Sequence, residues 1–106
     1  MIDFERITGF DWDEGNRRKN FDSHGVADFE AEEIFLDPRV TIEPDAEHSQ
    51  QERRWAAYGT TIEGRTLTIV FTLRAERTLI RIVSARDMSR KERKTCEIFA
   101  LFRARD

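Results

Sequence analysis

The residues of this 106-residue chain that could do chemistry are two histidines, one cysteine and a set of arginines concentrated in its second half. Only His24 and His48 titrate near neutrality, so one of these imidazoles is the economical proton donor or acceptor. Arginine suits a different task, because its planar fork binds phosphate bidentately and stays charged but makes a poor base. Arg74, Arg81 and Arg86 are the candidates for a phosphate-binding group, against the alternative that they form a basic sheet edge that discourages aggregation. Glu52 either orients Arg54 toward a phosphate or forms an ordinary cross-strand ion pair with it. Arg81 and Arg86 are an odd number of residues apart, so a regular strand directs them to opposite faces unless a bulge intervenes. The aromatic rings of Trp12, Trp55 and Tyr58 can stack on bases, although core packing is the stronger reading for both tryptophans.

Metal and thiol chemistry have less to work with. His48, Asp45 and Glu47 are bunched in one polar loop without orienting partners, and no metal site is expected there. Cys96 is the single thiol, which excludes an internal disulfide or a Cys-rich zinc site and reads as a small packing residue in a reducing compartment.

A chain of this length, with 39% hydrophobic residues, supports one core rather than two. Charged residues reach 37%, against about 25% in ordinary globular chains, which indicates a heavily solvated surface or an electrostatic partner. The net charge of −3 hides an asymmetry. Residues 1–52 carry 5 Lys and Arg against 15 Asp and Glu, a balance of −10, whereas residues 53–106 carry 13 against 6, a balance of +7. The basic half can attract a polyanion such as RNA or an acidic protein segment, or the halves can neutralise each other across the fold. No apolar run is long enough to span a membrane and the start of the chain lacks a signal-peptide layout, so the chain reads as cytoplasmic.

The elements that must position these groups follow from pattern. Residues 1–9 read as a leader and residues 10–106 as the domain. Asp13 is placed to cap a helix from Glu14 to about Ser23, and Gly25 to provide its left-handed end. A second helix runs from Phe29 to about Phe35 and stops at Asp37-Pro38. Val40 to Ile42 is a short strand, and Glu43 to Gln51 reads as a loop. Arg54 to Thr61 forms a strand ending at the Glu63-Gly64 turn. Leu67, Ile69, Phe71 and Leu73 alternate with threonines and Val70, which marks a central strand with one face in the core. Leu79 to Arg86 forms the next strand. Ser89 and Glu92 fit a capping box for a terminal helix to about Ala104, with an apolar stripe at Ile98, Leu101 and Phe102. The expected fold is α+β: an antiparallel sheet of about four strands with two N-terminal helices and one C-terminal helix.

FDWDE at Phe10–Glu14, HGV at His24–Val26, Glu52-Arg53-Arg54 with Gly59, and IRIVSAR at Ile80–Arg86 followed by Glu92-Arg93 together resemble the BrnT family of toxins. The resemblance covers Phe10 to about Glu97. It implies a single domain similar to the RelE-type toxins and an endoribonuclease activity, without metal or cofactor, that halts translation through attack of the RNA 2′-hydroxyl. It also implies a partner similar to BrnA antitoxins with a ribbon-helix-helix DNA-binding region, and a homodimer or a heterotetramer with that antitoxin as assemblies. Within the resemblance His24, Arg81 and Arg86 are the catalytic candidates, and Arg54, Arg74 and Glu52 the substrate-binding ones, expected to meet in one concavity. Two positions depart from the family pattern. Ser23 stands where Lys often precedes the HG pair, and Cys96 where Tyr often follows the Glu-Arg of the last helix. A second reading is therefore a non-enzymatic member that binds an antitoxin or nucleic acid, and a third is a free-standing homodimeric small-ligand domain.

Overall fold

The computed structural model describes residues 2–46 and 51–104, with side chains as far as Leu101. In chain order its elements are β1 (Gly9–Phe10), α1 (Glu14–His24), α2 (Asp28–Ile34), β2 (Thr41–Pro44), β3 (Trp55–Thr60), β4 (Thr66–Arg74), β5 (Leu79–Asp87) and α3 (Arg90–Ala104), preceded by a 3₁₀ turn at Phe4–Arg6. The strands form one sheet in the order β1-β5-β4-β3-β2. The pairs from β2 to β5 are antiparallel, and β1 joins β5 in parallel as a fifth strand beyond the expected four. Gly9 and Phe10 pair with Leu79 and Ile80, so the boundary drawn between residues 9 and 10 falls inside a strand.

The alternation in β4 works as its pattern predicts. Leu67, Ile69 and Phe71 are fully buried and meet Ile80, Ile82 and Ala85 of β5, Trp55 and Ala57 of β3, and Ala31 and Ile34 of α2. Each buried Leu, Ile or Phe among them contributes roughly 1.5–3 kcal/mol of hydrophobic stabilisation. Phe35 links β1 to the core by edge contacts with Phe10 at 5.7 Å and Phe71 at 5.0 Å between centroids. Trp55 stacks on Phe71 in the core, and Trp12 packs against it while its indole N–H donates to Glu32 at 2.8 Å. At Gly59 the sheet lies close against α2: a Cβ there would lie 2.9 Å from Ile34 Cγ2.

A different logic docks α1, whose sequence is almost wholly polar. Asp13 caps it by accepting from the Asn16 N–H at 2.7 Å, and Gly25 ends it at φ 65°. Between the caps, Asn16 donates to the Ile82 carbonyl at 2.8 Å and buried Asn20 accepts from the Ala85 N–H at 3.1 Å. The two amides thus pair with the edge of β5 beyond the point where β1 stops, where unpaired backbone groups would otherwise be buried. The pairing of β5 with β4 shifts there, with Val70 opposite Ser84 and Phe71 opposite Ile82, so Val83 is the extra residue of a bulge.

Glu92 fastens the first turn of α3 to the outer face of the sheet. Its carboxylate accepts from the Ser89 N–H at 2.8 Å, closing the expected capping box, and from the Thr68 hydroxyl at 3.0 Å. Further along, the stripe read as apolar packing leaves Ile98 46% and Leu101 68% exposed, and the side chain of Phe102 lies outside the described residues.

Candidate functional site

The six residues singled out from the sequence separate into two groups at opposite ends of β5. Asp13 at the start of α1 lies against Arg81, and His24 at its end lies near Asp87, so α1 runs beside β5 in the same direction. Ten helical rises separate the two helix ends by roughly 15 Å. One concavity holding all six is therefore not formed.

The first group contains Arg54, Arg74, Arg81 and Glu52. Arg74 ends β4 and donates to Glu52 at 2.7 Å, with Arg54 3.9 Å from the same carboxylate. Arg81 donates to Asp13 at 2.7 Å and to the Asp11 carbonyl at 3.4 Å. The Arg81 hydrogen bond is the main reason the Asp13 carboxyl is held below its ordinary range. Asp13 therefore caps α1 and aims Arg81 at once. These side chains border a cleft of about 320 Å³ that also includes Asn16, Lys19 and Val83. The Asn16 Oδ1 is buried there without a hydrogen-bond donor among the described residues.

The second group contains His24 and Arg86. Arg86 makes a two-pronged pair with Glu92 at 2.7 and 3.0 Å. Hydrogen bonding from Arg86, ahead of that from Ser89 and Thr68, lowers the Glu92 carboxyl to about 2. At the same end, Arg65 joins four partners that the sequence does not bring together. It donates to Asp87 at 2.8 and 3.1 Å, to the Gly25 carbonyl at 2.9 Å, to the His24 carbonyl at 3.2 Å and to Glu30 at 3.3 Å. The Asp87 carboxyl is lowered chiefly by its Arg65 hydrogen bond, with further positive influence from Arg93 and His24. Arg65 follows a turn glycine and has no pattern of its own, so only the sign contrast between the two halves of the chain hints at its pairing with Glu30.

Ion pairs between the halves are extensive: Arg65 with Glu30, Arg81 with Asp11 and Asp13, and Arg74 with Glu52. Arg54, Arg65, Arg74 and Arg81 of the basic half are thus paired with carboxylates of the acidic half. Both arginine groups still border open surface, with side-chain exposures of 39% at Arg74 and 38% at Arg86. His48 and Glu47 lie outside the described residues. Among the described residues no cluster of three or more His, Cys, Asp or Glu side chains is placed to hold a metal ion, and no helix is long and apolar enough to cross a membrane.

Residues 12–92 match the family model described as the ribonuclease toxin, BrnT, of type II toxin-antitoxin systems. Among solved structures, the chain is similar to the Brucella abortus ribonuclease toxin BrnT, determined at 1.1 Å. That similarity has a TM-score of 0.60 and 22% identity, and covers 79% of this chain and 100% of the other. No curated protein matches the chain significantly in sequence.

Proposed function

Because this chain belongs to the BrnT family of ribonuclease toxins of type II toxin-antitoxin systems, we propose that it is an endoribonuclease that needs no metal, arrests translation in the cytoplasm and is neutralised by a BrnA-like antitoxin carrying a ribbon-helix-helix region. The observation that carries this reading is the family match over residues 12–92, which spans both arginine groups and His24. A type II toxin has a cognate antitoxin; the identity of that protein is part of the proposal.

RNA cleavage without a metal requires a base at the 2′-hydroxyl, an acid at the leaving 5′-oxygen, and fixed positive charge around the phosphorus. In this reading Arg86 binds the scissile phosphate, its fork held in plane by Glu92. His24, at the same end of β5, removes the proton from the 2′-hydroxyl. The 2′-oxygen then bonds to phosphorus as the bond to the 5′-oxygen breaks, leaving a 2′,3′-cyclic phosphate. Arg54, Arg74 and Arg81 hold the RNA backbone a few nucleotides away, with Glu52 and Asp13 fixing two of the guanidinium groups. The test is incubation of purified, antitoxin-free protein with RNA, paired with induced expression in a host lacking the antitoxin. Cleaved RNA and arrested growth are expected, and intact RNA with unaffected growth refutes the reading.

A further inference from the structure

The outer face of the sheet below α3 carries a row of side chains to which the roles above assign only Arg86. Tyr58 of β3 lies opposite Thr68 of β4, and Thr68 opposite Arg86 of β5, so the three share one face. Tyr58 is two strand spacings from Arg86, roughly 10 Å at the backbone. Glu92 bridges the interval: it binds Arg86 and Thr68, and its charge and that of Arg86 both act on the Tyr58 hydroxyl. A cleft of about 350 Å³ opens beside the row, bordered by Tyr58, Glu43, Glu92, Lys91 and Phe99. That volume is within the range of small-ligand sites.

The direction of the row matters for the reaction. An in-line displacement needs its base and its acid on opposite sides of the phosphorus. Across the sheet, α1 with His24 flanks β5 on one side, and β4 followed by β3 with Tyr58 lies on the other. A phosphate on Arg86 therefore has the phenol on its β4 and β3 side, away from the edge along which α1 runs. Three of the five guanidinium N–H donors are used by Glu92 and the Asp87 carbonyl. We propose that Tyr58 is the proton donor to the leaving 5′-oxygen of the RNA. The assignment rests on the nuclease reading above.

As the bond from the 2′-oxygen to phosphorus forms and the bond to the 5′-oxygen breaks, the 2′-hydroxyl proton passes to His24 and the phenolic proton to the 5′-oxygen. Water reprotonates the phenolate and takes the proton from the imidazole, which restores both groups. Without substrate the Tyr58 hydroxyl donates to Glu43 at 2.9 Å, which holds it over the cleft. Burial, followed by that hydrogen bond, raises the pKa of the phenol, so it keeps its proton until the reaction draws it off.

The experiment compares wild-type protein with Tyr58→Phe on two RNAs that differ only at the mapped cleavage site, one natural and one with sulfur in place of the bridging 5′-oxygen. A thiolate leaves without protonation. On natural RNA, Tyr58→Phe is expected to lower kcat by about 10²-fold or more with little change in KM, and on the sulfur-substituted RNA to match wild type within about threefold. Equal losses on both RNAs, or no loss on either, overturn the assignment while leaving the nuclease reading in place. Wild-type protein that cuts neither RNA overturns both.

Discussion

Arg81 and Arg86 stand on the same face of β5, although an odd number of residues separates them. Arg81 is opposite Thr72 and Arg86 opposite Thr68, residues of one parity in β4, because Val83 is looped out as a bulge. A regular strand would have turned one arginine into the core among Ile80, Ile82 and Ala85. The bulge keeps the apolar residues inward on both sides of Val83 and presents both cations outward. It also puts Arg81, which borders the cleft with Arg54 and Arg74, on the same face as Arg86.

If the first cleft binds backbone phosphate, Arg74→Ala should weaken RNA binding without abolishing the chemical step. KM should rise severalfold and kcat should change little. The slope of log K against log salt should become shallower by about 0.7 for each phosphate of a single strand that the variant no longer neutralises. Fluorescence anisotropy across a salt series measures this, and an unchanged slope would remove Arg74 from the binding surface.

Asn20 should matter more to stability than a polar residue in a polar helix ordinarily does. It is 3% exposed, and its Oδ1 is the partner of the Ala85 N–H. Asn20→Ala leaves that buried donor unpaired and should cost about 1–3 kcal/mol. Urea denaturation reads the loss, and an unaltered midpoint would show that α1 is not held through this bond.

Much of this architecture is legible in the residues themselves. Asp13 and Gly25 bracket α1 because caps are local chemistry, and the alternation of β4 identifies a strand with one buried face because the period of two is imposed by backbone geometry. The two-residue strand β1 is not legible in this way, since its pairing with Leu79 and Ile80 is a contact between distant segments with no pattern of its own. The site is less legible for the same reason. The letters nominate Arg54, Arg74 and Glu52, which do meet, but whether Arg81 joins them or joins Arg86 depends on how α1 lies along β5. The row that aligns Tyr58 with Arg86 is set by register across three strands, and only the fold supplies register.

Gly59 should tolerate no side chain. A Cβ would meet Ile34 Cγ2 at 2.9 Å and both the Ile34 carbonyl and Asp37 Oδ2 at 3.3 Å, and that Asp37 oxygen already accepts from the Thr60 N–H at 2.8 Å. Gly59→Ala is expected to destabilise the fold by about 1–3 kcal/mol through overpacking between α2 and β3. A thermal melt superimposable on that of wild type would contradict this close approach.

Acid should loosen the first turn of α3 through Glu92. The Arg86 hydrogen bond holds its carboxyl at about 2 in the fold against an ordinary 4.5. A depressed folded value contributes stability that is present above the ordinary value and lost as pH falls toward the folded one. Wild-type stability should therefore decline between about pH 5 and pH 2, and Glu92→Gln should show a shallower decline. Some slope will remain, because the Asp13 and Asp87 carboxyls are lowered too. Identical slopes for the two proteins in chemical denaturation at several pH values would show that the Arg86–Glu92 pair is not maintained in solution.

The most direct test of the account is cleavage of a defined RNA by wild-type protein and Arg86→Lys, with EDTA present and the fragment ends identified by mass. Lysine keeps the charge but loses the planar fork that would hold the scissile phosphate. Wild type should give fragments ending in 2′,3′-cyclic phosphate, and Arg86→Lys should cut at least about 10²-fold more slowly while remaining folded. Wild-type fragments with other termini, a requirement for added metal, or an Arg86→Lys variant as fast as wild type would contradict it.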